Sequence, residues 1–378
     1  MNVLIFNDTR VEKNPGCIST VNALIDFLSL TSNDNLKTYP VGTNYREFFQ
    51  LELSGRRKNI FKRVASRLKK EERFDKEFNH KKWKNNYKEA IISSIKRDIL
   101  AADLVVINME GTIHHNSIGA ITLLSLAKFS ADSNKPVILV NGTVQNVSKT
   151  LLKETLLYAT LVSVRETRTF NYLNNILPEL KTHLIPDFAF KADLFQDINY
   201  TIENENRTCL YFPGVLAAHP VNNPKLTREQ IVLNLNEISK LGYKVYLGIV
   251  EDAELSLGSY VNTKGFDTIN FITEVPNSSI ATFLKKFDLV ITGRYHMGIF
   301  ALRSQVKTLF LKSNSYKIEG LLEMLEKENN LYPELILESQ LLETKILNLE
   351  SPFELRKELV VSYDFFKEKV EKVFSAFS

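Results

Sequence analysis

The sequence is poor in cysteine and has no long apolar run, and each scarcity argues against a class of protein. Its two cysteines, Cys17 and Cys209, lie far apart and form no CxxC pair or Cys/His spacing, so no structural zinc is expected. Such sparse cysteine is typical of a reducing compartment. No stretch approaches the length of a membrane span, and the apolar start of the chain is too short for a signal peptide. We therefore expect a cytoplasmic protein.

The chain also lacks a strong charge of either sign and any low-complexity tract. Its 378 residues carry a formal net charge of +4, which gives no reason to expect a nucleic-acid partner. Hydrophobic residues make up 44% and charged residues 24%, a composition typical of soluble globular proteins. The length suffices for two domains, each with a core of its own.

What the sequence does contain is a regular alternation of short apolar runs and amphipathic segments. Runs rich in β-branched residues predict strands, the segments between them predict helices, and the alternation indicates parallel, doubly wound sheets. The predicted strands cover residues 2–6, 103–108, 136–140, 161–164, 184–185, 208–212, 243–249, 269–272, 288–292 and 306–311. The predicted helices include residues 88–101, 119–130, 149–158, 227–241, 279–287 and 354–374.

A polar, acidic stretch without apolar periodicity divides this alternation in two. We predict an N-terminal α/β domain over residues 1–195, a linker over 196–207, a C-terminal α/β domain over 208–350 and a C-terminal helix over 351–378. The predicted fold class is α/β, with two doubly wound, Rossmann-like domains that face a cleft. The C-terminal helix has one apolar face and is expected to pack back on the body.

The turn after the predicted strand 288–292 carries the most chemistry. Gly293 breaks the strand, and Arg294 and His296 lie where a helix begins. Ligands of parallel sheets bind at such turns, because the free N–H groups and the dipole of the helix favour an anion. Arg294 adds a planar donor for phosphate or carboxylate, and His296 can carry a proton near neutral pH. In the structural alternative, Arg294 pairs with a nearby carboxylate and His296 is a packed side chain.

Five segments of the chain form an ordered series of short motifs. The segments are Val105-Val106-Ile107-Asn108 with Glu110-Gly111-Thr112, Ser163-Val164-Arg165-Glu166, Pro186-Asp187-Phe188-Ala189-Phe190, Thr292-Gly293-Arg294-Tyr295-His296 with Ile299-Phe300-Ala301-Leu302, and Lys317 with Gly320-Leu321-Leu322. In this order they resemble motifs of the polysaccharide pyruvyl transferase family, and the resemblance spans about residues 2–328.

This resemblance implies transfer of a carboxyethylidene group from phosphoenolpyruvate to two hydroxyls of a sugar in surface polysaccharide biosynthesis. Such a reaction needs cations for the phosphate and carboxylate of the donor, and a group that carries protons. The implied donor site comprises Arg294, Arg165, Lys317 and Gly293, with His296 as acid and base. An ion pair between Arg165 and Glu166 is the structural alternative for Arg165. The implied acceptor is a lipid-linked or growing surface glycan, and no cofactor is expected.

Two N-terminal loops depart from the family pattern. Met109-Glu110-Gly111 stands where consecutive glycines are common, and Gly16-Cys17 stands where a Gly-Asp pair is common. The carboxylate of Glu110, with two histidines nearby, suits sugar hydroxyls or acid and base catalysis better than phosphate. The residues of these loops are assigned as follows: Glu110 and His114 to catalysis, and Glu110, Thr112, His115 and Gly16 to the acceptor.

A second hypothesis is a glycosyltransferase of the GT-B type, which has two α/β domains and a nucleotide-activated sugar as donor. Arg294 then holds the diphosphate, and Glu110 or His114 takes the proton of the acceptor hydroxyl. A third, non-enzymatic hypothesis is a carbohydrate-binding module, which has no need of Arg and His at two opposed sheet edges. No metal is expected, because adjacent His114 and His115 do not face each other on a helix and no third ligand is evident.

Residues 56–70 form a basic stretch around an apolar stripe. This pattern predicts a basic amphipathic helix that either binds an anionic membrane surface or holds a polyanionic substrate. In the first case the protein lies peripherally on the inner face of the membrane. The alternative is a solvated helix whose positive charges are offset by Glu71, Glu72 and Asp75.

Overall fold

The computed structural model of the protein describes residues 1–28, 35–41, 45–50, 78–200, 207–214, 226–349 and 353–376. The basic stretch 56–70 and residues 201–206 of the predicted linker lie outside these ranges. The described chain forms two compact units, each built around one parallel sheet. None of the described helices combines the length and the apolar character needed to cross a bilayer.

The first unit contains six strands, and every neighbouring pair is parallel. The strands are β1 (Asn2–Phe6), β2 (Asn35–Tyr39), β3 (Leu104–Asn108), β4 (Val137–Gly142), β5 (Leu161–Val164) and β6 (Thr182–Leu184). Their order in the sheet is β2-β1-β3-β4-β5-β6. Every residue of β3 and β4 is buried, because helices cover both faces of a doubly wound sheet.

Helices connect these strands, and all except the first supply the rest of the first core. They are α1 (Pro15–Phe27), α2 (His80–Ala90), α3 (Ser93–Ala101), α4 (Ile118–Asp132), α5 (Lys149–Leu156) and α6 (Thr167–Ile176). Trp83 of α2 is fully buried, and its indole N–H donates a hydrogen bond of 2.8 Å to Ser125 of α4. This bond satisfies the one polar group of the tryptophan, so the ring packs in the core without a desolvation penalty.

The second unit contains five strands, again with parallel neighbours throughout. The strands are β7 (Arg207–Phe212), β8 (Tyr243–Ile249), β9 (Asp267–Asn270), β10 (Leu289–Thr292) and β11 (Lys307–Phe310), in the order β11-β10-β7-β8-β9. The helices are α7 (Arg228–Lys240), α8 (Leu255–Asn262), α9 (Ile280–Leu284), α10 (Tyr295–Arg303), α11 (Lys317–Leu325) and α12 (Ser339–Leu347).

The C-terminal helix, α13 (Lys357–Ser375), buries the apolar face expected from its sequence. Tyr363 donates a hydrogen bond of 2.9 Å to the carbonyl of Pro186, and Phe366 stacks on Phe27. Contacts assign Met1–Thr9, Asp26–Pro186 and Val361–Ser378 to the first unit, and Arg10–Ile25 and Asp187–Val360 to the second. Most of α1 therefore groups with the second sheet, although chain order places it in the predicted N-terminal domain.

Both sheets have a point at which the strand order reverses. The chain passes from β1 to β2 on one side, and β3 lies on the other side of β1. In the second sheet β8 and β10 flank β7 in the same way. Loops leave such a point in opposite directions and open a crevice at the carboxyl ends of the strands. Candidate ligand sites are therefore expected after β1 and β3 in one unit, and after β7 and β10 in the other.

Every predicted strand is present, with ends that differ by no more than two residues, but one predicted helix is wrong and one strand was not predicted. The helix predicted over residues 88–101 is two helices, because Ile91 and Ile92 are extended and Ile91 pairs with Phe49 in an antiparallel bridge. Strand β2 was not predicted, since its sequence NLKTY is short, polar and partly exposed at the sheet edge.

A buried carboxylate caps helix α6 and gives the stability of the fold a pH dependence. Both oxygens of Glu166 accept a hydrogen bond from the backbone N–H of Thr169, at 3.1 and 3.0 Å. Burial raises the pKa of Glu166 to about 7, from an ordinary value of 4.5, while hydrogen bonds from Thr169 and the charge of Arg165 oppose this shift. The native state thus binds this proton more tightly than the unfolded chain does.

We expect Glu166→Gln to stabilise the protein at alkaline pH. Because the folded pKa is the higher one, the stability that protonation of Glu166 provides is lost as the pH rises from about 4.5 to about 7, by roughly 3 kcal/mol. The melting temperature of Glu166→Gln should therefore match the unmodified protein near the lower pH and exceed it at pH about 8. The exposed Glu89→Gln serves as control. A temperature difference that is constant with pH would contradict this account.

Candidate active site

His296 lies in the first turn of α10, just after β10, and faces a buried carboxylate. Its imidazole Nε2 is 3.6 Å from Oδ2 of Asp187, which has no exposed surface. Oδ1 of Asp187 accepts hydrogen bonds from the N–H of Ala189 at 2.8 Å and from the hydroxyl of Thr20 at 3.5 Å. Asp187 therefore caps the short 3-10 helix Phe188–Phe190 and also lies beside the imidazole of His296.

Gly16 lies against the same imidazole. A Cβ atom at this position would be 2.5 Å from both Cβ and Nδ1 of His296, closer than real atoms approach. Glycine is therefore needed where α1 and α10 meet. Gly16 was predicted for the acceptor, and the structure brings it beside His296 in the second unit.

Arg294 is the residue that precedes α10, and it is held by two carboxylates. Its Nη2 donates a hydrogen bond of 2.6 Å to Glu254 and forms an ion pair with Glu251. Burial raises the pKa of Glu254, and the charge of Arg294 opposes that shift. The carboxylate partner foreseen as the structural alternative for Arg294 is thus present. Its buried Nε has no hydrogen-bond partner among the described residues.

Gly293 permits close contact between the two loops at the reversal point of the second sheet. A Cβ atom on Gly293 would lie 2.8 Å from Cα of Gly214, which follows β7 and has a φ of 95°. The two backbones therefore touch between β7 and β10, and a side chain at either glycine would separate them. Lys317, the remaining predicted donor contact of this unit, is the half-buried first residue of α11.

Glu110 lies at the reversal point of the first sheet, in a polar network that joins the ends of β1 and β3. Its Oε2 accepts hydrogen bonds from the hydroxyl of Thr9 at 3.1 Å and from the amide of Asn108 at 3.4 Å. The amide of Asn7 donates to the carbonyl of Asn108 at 2.8 Å and to the hydroxyl of Thr112 at 3.2 Å. Glu110 and Thr112 thus belong to one network, whose asparagines the sequence did not single out.

His114 and His115 lie in a loop, which overturns the helical argument against their contact. Their Nδ1 atoms are 3.2 Å apart, because His115 has a φ of 56° and turns its side chain toward its neighbour. Nε2 of His115 is 3.0 Å from the amide nitrogen of Asn146. In the part of the chain that the structure describes, no group of three or more His, Cys, Asp or Glu side chains is arranged to hold a metal.

Arg165 follows β5 and is almost completely buried. Its Nε donates a hydrogen bond of 3.0 Å to the hydroxyl of Thr143, and its backbone N–H donates to the carbonyl of Gly142 at 3.1 Å. The side chain is therefore fixed between the ends of β4 and β5. Its charge also lowers the pKa of the adjacent Glu166, against the larger effect of burial.

The predicted site residues thus fall into two groups. The second unit brings Gly16, Gly293, Arg294 and His296 to the start of α10, while the first unit carries Glu110, Thr112, His114, His115 and Arg165. Asp187 was not among the predicted site residues, and no sequence signal pairs it with His296 across more than a hundred residues. The signal that could have drawn attention to it is the Pro186-Asp187 segment, which matches a family motif.

Solved structures share this architecture at low sequence identity. The UDP-GlcNAc 2-epimerase from Methanocaldococcus jannaschii has a TM-score of 0.51 at 13% identity, over 97% of this chain and 99% of that chain. A UDP-glucosyltransferase from Polygonum tinctorium has a TM-score of 0.51 at 9% identity, over 99% of this chain and 93% of that chain. At such identities the likeness concerns the fold alone. It confirms the predicted class, a two-domain, Rossmann-like α/β protein of the GT-B type.

Comparison of the sequence with family profiles identifies the family within this class. The profile of the polysaccharide pyruvyl transferase family matches residues 21–315, which is more than half of the chain. The protein belongs to this family, as the order of its motifs predicted. A search of the curated proteins found no match.

We expect Gly16→Ala to displace His296 and leave the two sheets folded. The added Cβ atom overlaps the imidazole, and overpacking of this kind costs about 1–3 kcal/mol. The ring ¹H–¹⁵N resonances of His296 should shift, and the melting temperature should fall. The control is Gly258→Ala in α8, where the new Cβ atom would lie 3.3 Å from the flexible end of Ile249. Unchanged His296 resonances in Gly16→Ala would show that α1 and α10 do not contact each other in this way.

Proposed function

We propose that the protein transfers a carboxyethylidene group from phosphoenolpyruvate to two hydroxyls of a glycan. Membership of the polysaccharide pyruvyl transferase family supports a transferase with a glycan acceptor. The observation that carries the proposal is the buried Asp187 carboxylate 3.6 Å from His296, at the start of α10. Such a pair suits a reaction in which one group must both give and take a proton.

The chemistry requires two proton transfers. One hydroxyl oxygen of the sugar bonds to C2 of the donor while C3 receives a proton and becomes a methyl group. The second hydroxyl oxygen then bonds to C2 as the C–O bond to phosphate breaks. The two hydroxyl protons end on the methyl carbon and on the departing phosphate, so atoms and charges balance. We assign proton delivery at the donor to His296, whose Nε2 lies 3.6 Å from the carboxylate of Asp187.

The anionic groups of the donor need fixed N–H groups and positive charge. Helix α10 supplies the N–H groups and the dipole of its first turn, directly beside His296. Arg294 supplies the charge. Glu251 and Glu254 engage its Nη2, so a donor oxygen would be bound by the remaining N–H groups of the guanidinium. The two carboxylates then keep the guanidinium in one orientation.

We assign the acceptor to the carboxyl edge of the first sheet. Glu110 carries a carboxylate that Thr9 and Asn108 hold in place, and such an oxygen can accept a hydrogen bond from a sugar hydroxyl. His114, in the following loop, is the candidate that removes the hydroxyl proton. Glu110 lies where the departure from consecutive glycines replaces bare backbone with a functional side chain.

A donor screen separates this proposal from the nucleotide-sugar alternative. Titration calorimetry with phosphoenolpyruvate should give saturable binding, whereas UDP and UDP-GlcNAc should give none. A ligand at 100 times its Kd adds about 2.7 kcal/mol of stability, so thermal shift offers an independent readout. Inorganic phosphate and pyruvate are the controls, because each carries only part of the phosphoenolpyruvate molecule. Saturable binding of a UDP-sugar, with no binding of phosphoenolpyruvate, would refute pyruvyl transfer and favour a glycosyltransferase.

Substitution of the His296 and Asp187 pair should then affect turnover more than donor binding. We expect His296→Gln and Asp187→Asn each to lower turnover by about 10²- to 10⁴-fold, the usual contribution of general acid–base catalysis. The matched control is His80→Gln, which removes a histidine 3.7 Å from the carboxylate of Glu154 in the first unit. If His296→Gln keeps full turnover with phosphoenolpyruvate, His296 is not the proton carrier.

A further inference from the structure

Asn146, His115 and His114 form a chain of hydrogen bonds in the first unit. The amide nitrogen of Asn146 lies 3.0 Å from Nε2 of His115, and Nδ1 of His115 lies 3.2 Å from Nδ1 of His114. The two rings meet edge to face, with 73° between their planes. All three side chains are half-buried.

The contact between the two Nδ1 atoms restricts the protonation of the pair. A neutral imidazole has one N–H and one lone pair, and two lone pairs or two N–H groups at 3.2 Å repel each other. One ring must therefore be protonated at Nδ1 and the other at Nε2. Two isolated histidines are under no such restriction.

The amide of Asn146 is linked through these hydrogen bonds to the form that each ring takes. With its nitrogen toward His115, Nε2 of His115 is the acceptor, so His115 carries its proton on Nδ1 and His114 carries its proton on Nε2. A rotation of the amide by 180° puts oxygen in the same place and reverses every donor in the chain. His115 is then protonated at Nε2, and His114 is protonated at Nδ1 with a lone pair at Nε2.

The backbone holds this arrangement in place. The loops after β3 and β4 are joined by hydrogen bonds from His115 N–H to the carbonyl of Gln145 at 2.9 Å and from Gln145 N–H to the carbonyl of Ile113 at 3.2 Å. His115, Asn116 and Asn146 all have positive φ, at 56°, 46° and 56°. Residues remain in such conformations only when their surroundings fix them, which is common at functional sites.

We propose that Asn146 and His115 are positioning residues that set the protonation of His114, with the orientation of the Asn146 amide selecting whether Nε2 of His114 donates or accepts a proton. The catalytic use of this selection rests on the proposed function, in which His114 takes the hydroxyl proton of the acceptor. Only the form with the amide oxygen toward His115 can do so. In that form His114 becomes an imidazolium as the sugar oxygen bonds to the donor, and its Nδ1–H still donates to His115.

The tautomers can be measured directly on the full chain labelled with ¹⁵N in its histidine rings. Long-range ¹H–¹⁵N spectra distinguish Nδ1–H from Nε2–H, and the His114→Gln and His115→Gln variants assign the resonances. We expect one ring of the pair to be protonated at Nδ1 and the other at Nε2. Asn146→Asp, which offers only oxygen, should fix His115 as Nε2–H and His114 as Nδ1–H. Asn146→Leu should abolish the fixed pairing.

A matched control is Asn134→Asp, which makes the same change at an exposed asparagine with a φ of 58° at the end of α4. It should leave both tautomers unchanged. The proposal is overturned if both rings of the unmodified protein are protonated at Nε2, or if Asn146→Asp leaves the tautomers as they were. Asn146→Asp is nearly isosteric, so it remains informative if Asn146→Leu fails to fold.

Turnover supplies the second readout. Asn146→Leu should lower kcat by about tenfold with little change in the KM for the donor, because it removes the amide oxygen that selects the base form of His114. Unchanged kcat together with altered tautomers would show that His114 takes no part in catalysis. That result would overturn the catalytic role proposed for the hydrogen bonds of Asn146, His115 and His114. The tautomer result does not depend on the identity of the donor. A protein that fails to bind phosphoenolpyruvate but shows complementary tautomers would refute the proposed function and retain the chain of hydrogen bonds.

Discussion

The second unit depends on the burial of one carboxylate, that of Asp187. A buried carboxylate is costly unless every oxygen finds donors or positive charge. Here one oxygen is satisfied by Ala189 and Thr20, and the other faces His296. These partners come from α1, from the short helix after residue 187 and from α10, so one charge ties together three segments that are distant in sequence. This requirement explains why residues 10–25 group with the second sheet, and why α1 carries glycine at the point that meets the imidazole.

Arg294 meets the same requirement as a buried charge of the opposite sign. A guanidinium that is nine-tenths buried needs anionic partners, and Glu251 and Glu254 provide them. Removal of Arg294 would leave the buried carboxylate of Glu254 without its charge partner, and such a change costs about 3–5 kcal/mol in comparable buried pairs. The ion pair and a role in donor binding are compatible, because five N–H groups on one planar group can serve both. The pair fixes the plane of the guanidinium, and a donor anion would meet a group that is already oriented.

Local sequence determined the strands well, because runs such as Leu289–Thr292 combine β-branched residues with a glycine that ends them. It could not reveal β2, whose pairing with β1 depends on the sheet rather than on its own polar residues. Nor could it show that Ile91 leaves the helix to pair with Phe49. At the candidate site, the turn with Arg294 and His296 was visible from the glycine and the helix start. The partners of those residues come from distant segments, and only the strand order brings them together.

The two candidate proton carriers have different neighbours. His296 lies 3.6 Å from the carboxylate of Asp187, whereas His114 contacts the imidazole of His115, which in turn contacts the amide of Asn146. An ionised carboxylate offers only acceptor oxygens, so a hydrogen bond between it and a ring can run in one direction only. An amide offers either nitrogen or oxygen after a rotation of 180°, so the hydrogen bonds that end at Asn146 can run in either direction. An aspartate beside one histidine and an asparagine behind the other therefore differ in whether the direction of the hydrogen bonds can be reversed.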